Sequence, residues 1–147
     1  MSATALAITN LLYRYTEAMD SGQLEDAAEL FRNARIKVRD RAEPLNAAGL
    51  LALWRTHVKL YPCGTPRTKH VVTNPIIEID DDVGKATARS YYTVYQATEG
   101  FPLQLIASGR YHDEFERVDG TWGFSYRDYS LLDLTGDMSL HLNVPAT

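Results

Sequence analysis

Apolar residues in the first part of the chain recur at three- and four-residue spacing. Ala5, Ile8, Leu11, Leu12, Tyr15 and Met19 place one buried stripe along a helix over residues 3–19. Ser21-Gly22 ends it, glycine being suited to the left-handed backbone at a helix C-terminus. A second, short helix is predicted over 23–31, with Leu24, Ala27, Ala28 and Phe31 on one side. Residues 34–41 alternate weakly through Ile36 and Val38 and read as a short edge strand whose charges discourage unwanted pairing. A third helix is predicted over 46–60, N-capped by Asn46 and burying Leu50, Leu53, Trp54, His57 and Val58. The turn chemistry of Tyr61-Pro62-Cys63-Gly64-Thr65-Pro66 closes the helical part.

From residue 67 the period changes to two. Strands are predicted over 67–79, 85–98, 103–118 and 121–133, separated by turns at 80–84, 99–102 and Asp119-Gly120. The last of these is a strong hairpin signal. Successive hairpin turns imply a curved antiparallel meander rather than a parallel sheet. Helices first and strands afterwards make the fold class α+β, in a single domain over 1–147. The tail over 135–147 is less regular, and its last residues are expected to be loose.

One strand carries chemistry. In 67–79, alternation puts His70, Val72, Asn74 and Ile76 on one face. An imidazole turned into an apolar interior needs a partner for each ring nitrogen. Asp20, in the last turn of the first helix, offers a carboxylate. That is the negative end of the helix dipole, a poor place for an acid without a reason to be there.

Composition sharpens the picture at a few points. A chain of 147 residues is one domain with room for a sizeable core. Nine tyrosines suit a cavity with hydroxyl-bearing walls. A net charge of −4 lacks the basic stripe of a nucleic-acid binder. The local run through Arg32, Arg35, Lys37, Arg39 and Arg41 is interrupted by Asp40 and reads as a solvated face. Cys63 is the single cysteine, which excludes an intrachain disulfide and a cysteine-built zinc site. There is no signal-like start and no apolar run of the ~18–20 residues a membrane helix needs, so no membrane partner and a cytoplasmic location are expected.

The segment Tyr13-Arg14-Tyr15-Thr16-Glu17-Ala18-Met19-Asp20-Ser21-Gly22-Gln23 resembles the first helix of SnoaL-like proteins in the nuclear-transport-factor-2-like superfamily. So do Thr68-Lys69-His70-Val71-Val72-Thr73-Asn74 and Gly109-Arg110-Tyr111-His112-Asp113-Glu114-Phe115-Glu116-Arg117, followed by Asp119-Gly120-Thr121-Trp122. The resemblance implies a cone, in which a curved antiparallel sheet wraps around the N-terminal helices and leaves an internal apolar pocket. It also implies homodimers or higher homo-oligomers that pair through the outer face of the sheet. The chain is most similar to the branch with scytalone dehydratase and hexachlorocyclohexane dehydrochlorinase. Those enzymes use an Asp at the end of helix one and a His at the start of the first long strand, positions matched by Asp20 and His70. Arg127 is the nearest match to the dehydrochlorinase's last-strand arginine. The lysine that enzyme carries one turn before its aspartate is Tyr15 here, and neither His57 nor His112 matches the dehydratase's second pocket histidine.

These residues point to proton abstraction. A carboxylate accepting from one imidazole nitrogen fixes the tautomer, leaves the other nitrogen as a base and stabilises the imidazolium that forms. Arg127 either neutralises a developing anion or is a surface arginine paired with Asp128 or Glu116. Tyr15, Trp54, Asn74, Tyr92 and Tyr111 are the substrate-binding candidates. His112 and Glu114 share a strand face without a third ligand, and Asp113 points the other way, so no metal is expected. His141, after Asp133 and Asp137 in the tail, takes no assignment. Cys63 has no nucleophile's context, and no glycine-rich phosphate loop is present. The expectation is a cofactor-independent lyase or isomerase acting on a small apolar cyclic molecule. Its rivals are a non-catalytic binder or assembly subunit, similar to the β subunit of ring-hydroxylating dioxygenases, and a polyketide-cyclase-like enzyme.

Overall fold

The computed structural model describes residues 2–143. Helix α1 (Ala3–Asp20) is followed by α2 (Leu24–Glu29), strand β1 (Arg35–Lys37) and helix α3 (Ala47–His57). Then come β2 (Thr68–Asp80), β3 (Lys85–Thr98), β4 (Phe101–Val118), β5 (Thr121–Asp128) and β6 (Leu132–Thr135). The fold class is α+β, as the sequence predicts.

Local chemistry starts and stops the helices. The Ser2 hydroxyl accepts from the Ala5 N–H at 3.1 Å, and the Asn46 side chain accepts from the Gly49 N–H at 2.9 Å. At the end of α1, Gly22 has φ +75°, and a Cβ there would lie 1.9 Å from the Gly64 carbonyl oxygen. The end of α1 therefore rests directly on the turn that feeds β2. This contact fixes how Asp20 meets β2.

The sheet runs β1-β5-β4-β3-β2, with β6 paired to β4 outside that path. Helix α1 packs against both β2 and β5, which β3 and β4 separate in the sheet. One helix touches both only if the sheet curves around it. The core lies in that concavity and includes Ile8, Leu12, Tyr15, Phe31, Phe115 and Phe124.

The structure corrects three expectations. The sheet is mixed, because β1 runs parallel to β5 with Ile36 opposite Arg127. Strand β1 enters from α2 and not from a hairpin turn, so nothing forces it to be antiparallel. The single strand expected over 121–133 is two. Asp128 Oδ1 accepts from the Ser130 N–H at 2.9 Å and from its hydroxyl at 2.5 Å, a side-chain turn that ends β5. The chain then resumes as β6 along the other half of β4. Third, β2 carries a bulge between Thr73 and Ile76, where Asn74 takes φ +44° before Pro75. The slip reverses which side chains face inward. His70 and Val72 are partly buried, but Asn74 and Ile76 are exposed, and Ile77 and Ile79 pack on the core instead. Of the tail over 135–147, residues 144–147 lie outside the described residues, and with them the expectation that its last residues are loose. No described helix is long and apolar enough to cross a membrane.

Candidate active site

Asp20 meets His70. The His70 Nδ1–H donates to Asp20 Oδ1 at 2.6 Å, the His70 backbone N–H donates to Oδ2 at 2.7 Å, and the Thr68 hydroxyl donates to Oδ1 at 2.9 Å. Both carboxylate oxygens are thus engaged from the first residues of β2, which offsets the unfavourable helix end. The two side chains are 6% and 9% exposed, so little water competes for the bond. With Nδ1 committed as donor, Nε2 is the nitrogen left for chemistry.

His70 forms part of the wall of a cavity of about 430 Å³. Its sheet side is built by Tyr92, Val94 and Tyr111, and its helix side by Met19, Leu53 and Trp54. Tyr92 and Tyr111 stack with ring centroids 4.3 Å apart, and Tyr111 stacks on Tyr129 at 6.4 Å. Trp54 Nε1 donates to the Tyr129 hydroxyl at 3.3 Å, and that hydroxyl also bonds the Tyr15 hydroxyl at 3.2 Å. Burial raises the Tyr15, Tyr92 and Tyr111 phenols above the usual tyrosine value, so all three stay protonated at neutral pH.

Arg127 matches neither of its expected roles. It is fully buried and does not line the cavity. Its Nε and Nη2 donate to the two oxygens of Asp113 at 2.7 and 3.0 Å, and its guanidinium lies 3.8 Å from the Tyr111 ring centre and 4.4 Å from that of Tyr15. Burial pushes the Asp113 carboxyl up against the pull of Arg127. Desolvation is the largest single influence and lowers Arg127, but the Asp113 charge, its hydrogen bonds and the neighbouring Tyr111 and Tyr15 together hold it above the usual arginine value. The fork geometry is that of an ionised pair, set one layer behind the cavity wall.

Of the expected substrate-binding residues, Trp54, Tyr92 and Tyr111 line the cavity and two do not. Tyr15 is wholly buried beneath it, and the bulge turns Asn74 to the outer surface. His112 is exposed on the outer face as well. Among the described residues, no three His, Cys, Asp or Glu side chains converge as metal ligands.

The tail supplies what the sequence reading missed. Backbone bonds from Lys59 N–H to His141 C=O at 2.9 Å and from Asn143 N–H to His57 C=O at 2.7 Å strap it to the end of α3. Gln96 of β3 donates to the Leu140 carbonyl at 2.9 Å. Met138, His141 and Leu142 thereby close one side of the cavity. Their i, i+3, i+4 spacing was the available signal. His141 is 6% exposed, and its ring centre lies 5.9 Å from that of His70. Burial and the neighbouring His70 hold its imidazole down to about 4, against the opposite pull of Asp20. His141 is neutral at pH 7.

The profile of the SnoaL-like domain family matches residues 2–128. No curated protein matches the chain. Among solved structures, a candidate scytalone dehydratase from Novosphingobium aromaticivorans is 22% identical, with a TM-score of 0.69 over 91% of this chain and 87% of that one. LinA is 23% identical, with a TM-score of 0.69 over 97% and 95% of the two chains. The β subunit of a candidate aromatic-ring-hydroxylating dioxygenase, also from N. aromaticivorans, is 19% identical, with a TM-score of 0.66 over 94% and 95%. At these identities the likeness bears on the fold, which the three structures share with this chain.

Proposed function

The chain belongs to the SnoaL-like domain family, and from that premise we propose that it is a cofactor-independent lyase or isomerase acting on a small, mostly apolar cyclic molecule. One observation carries the proposal. The Asp20–His70 bond of 2.6 Å leaves His70 Nε2 as the free ring nitrogen of a histidine that lines an apolar cavity. In this reading Nε2 takes a proton from a ring carbon of the substrate, and Asp20 stabilises the imidazolium. The electron pair released forms a double bond. Either a leaving group departs from the next carbon with its bonding pair, or an adjacent double bond of the substrate shifts and the proton returns at the far carbon of that bond. Trp54, Tyr92 and Tyr111 bind the ring, and Arg127 acts from behind the wall by holding Tyr111 in place. The name of the candidate dehydratase agrees with this class of reaction. A cyclase-like scheme led by an acid is less well supported, because both Asp20 oxygens are already engaged.

A second reading has its own support. Val71, Tyr91, Tyr95, Leu103, Leu105 and Leu134 are apolar side chains between 38% and 71% exposed. The register places Val71, Thr93, Ser108 and Leu134 in one row across β2, β3, β4 and β6, and thus on the outer face. That surface suits pairing between copies of the chain, and it also suits a non-catalytic assembly subunit. The two readings part on turnover. Cyclic alcohols, ketones and halides are to be screened for elimination or isomerisation with wild type, His70→Ala and Asp20→Asn. The proposal expects product from wild type and its loss in both variants; a ligand bound equally by all three without product supports the second reading.

A further inference from the structure

The cavity is lined by two imidazoles that the dyad does not use, His57, whose Nδ1–H donates to the Asn143 carbonyl, and His141. His141 is almost fully buried, and its Nδ1 is enclosed with no hydrogen-bond partner among the described residues. Its Nε2 is not among the buried unpaired atoms and makes no hydrogen bond among the described residues, so it is the nitrogen open to the cavity that the residue lines. Three separate attachments keep the ring there. They are the two backbone bonds that tie the tail to the end of α3, and the Gln96 bond to Leu140 one residue before.

A neutral imidazole carries one N–H, and the surroundings choose where. An enclosed N–H without an acceptor is rarer and costlier than an enclosed lone pair without a donor. The tautomer that leaves Nδ1 as the lone pair and places the hydrogen on Nε2 is therefore favoured. It presents a donor to the cavity, while His70 Nε2 presents an acceptor. With ring centres 5.9 Å apart, both groups can touch one small molecule at adjacent positions.

We propose that His141 is the substrate-facing hydrogen-bond donor of this cavity, and that it selects cyclic ketones whose carbonyl lies next to the carbon that gives up its proton. The selection of a substrate class rests on the base role of His70 proposed above; the donor role stands without it. In the resulting step, His70 Nε2 takes the proton from the α-carbon. The C–H pair becomes the carbon–carbon double bond as the carbonyl π pair moves onto oxygen. The His141 Nε2–H bonds that oxygen as its charge grows. Collapse of the enolate either returns the proton from His70 to the γ-carbon, where the ketone carries a β,γ double bond that shifts into conjugation, or expels a β-hydroxyl, which leaves as water with that proton. A neutral donor suits this task, because it stabilises the oxygen without adding a second cation beside the imidazolium of His70. Its neutrality agrees with the lowered affinity that burial gives it.

The test compares two probes of nearly the same shape, 2-tetralone and its hydrocarbon counterpart tetralin, by calorimetric titration of the whole chain. The quantity read is the ratio of the tetralin to the tetralone dissociation constant, in wild type and in His141→Leu. Loss of one buried hydrogen bond is expected to lower the ratio about tenfold in the variant while tetralin affinity is kept. His141→Gln, which retains an N–H donor, is expected to recover part of the preference. Should the variants fail to fold, the wild-type protein still decides. The His141 imidazole proton and nitrogen resonances are expected to move on titration with 2-tetralone and to stay in place with tetralin. Equal ratios in wild type and His141→Leu, or equal resonance shifts with both probes, overturn the proposal. The outcome is separable from the base chemistry. A lost preference without any turnover keeps the donor and removes the base role of His70. Turnover that depends on His70, with an unchanged ratio, does the opposite.

Discussion

Asp20 occupies the C-terminal end of α1, where the helix dipole disfavours a negative charge, and three donors from Thr68 and His70 surround it. Asp20→Asn keeps the shape but turns an N–H₂ group toward one of these donors. It is expected to cost about 1–3 kcal/mol of stability by urea denaturation. Any proton-transfer activity is expected to fall by roughly 10²- to 10⁴-fold, since the imidazole loses its fixed tautomer. His141 gives a pH signature. Its value is 6.5 in the unfolded chain and about 4 in the fold. Between these values the unfolded chain binds a proton that the folded one refuses. Stability is therefore fully present above pH 6.5 and is lost as the pH falls toward 4, by on the order of 3 kcal/mol from this residue. Urea unfolding at pH 7.5 and 4.5 should show wild type losing on the order of 2 kcal/mol more than His141→Phe, which has nothing to titrate.

Two contacts between elements position the site. Asp113 and Arg127 are cross-strand partners on β4 and β5, and they hold these strands together behind the cavity. Arg127→Leu strands a buried carboxylate and is expected to cost about 3–5 kcal/mol, while Asp113→Leu with Arg127→Leu recovers most of it. If the double variant also regains activity, Arg127 acts through packing; a stable but inactive double variant assigns it an electrostatic share. Gly22 is the other joint, and Gly22→Ala should shift Asp20 and depress activity even where the protein stays folded. Elements with their own period were legible in the sequence. The apolar stripe of α1 and the alternation of β3 depend only on neighbouring residues, so their limits were found closely. The bulge at Asn74 and the side-chain turn at Asp128–Ser130 were not, because each reverses or interrupts a period that otherwise reads as continuous. Arg127 was misplaced for a related reason: its burial depends on Tyr15 of α1, Phe31 of the turn after α2, Tyr111 of β4 and Phe124 of its own strand closing around it.

At the scale of the whole molecule, the curved sheet divides the chain into a concave side that encloses the cavity and an outer side with exposed apolar residues. Tyr95→Lys with Leu105→Lys is expected to convert an oligomer to monomers in sedimentation velocity. An unchanged mass would mean that copies do not meet on that face. The meeting of Asp20 and His70 was a long-range contact open to sequence reading, through their resemblance to known positions; the spacing of Met138, His141 and Leu142 hinted at one buried side of the tail, but where that side docks was not legible, since backbone bonds place it. The central claim is that the dyad removes a carbon-bound proton inside this cavity. Deuterium incorporation at the α-carbon of 2-tetralone in D₂O, followed by NMR, tests it without requiring the natural substrate. The account predicts exchange above the buffer rate with wild type, none above it with His70→Ala, and a rate roughly 10²- to 10⁴-fold lower with Asp20→Asn. Exchange at the same rate in all three proteins, or no acceleration by wild type, would contradict it.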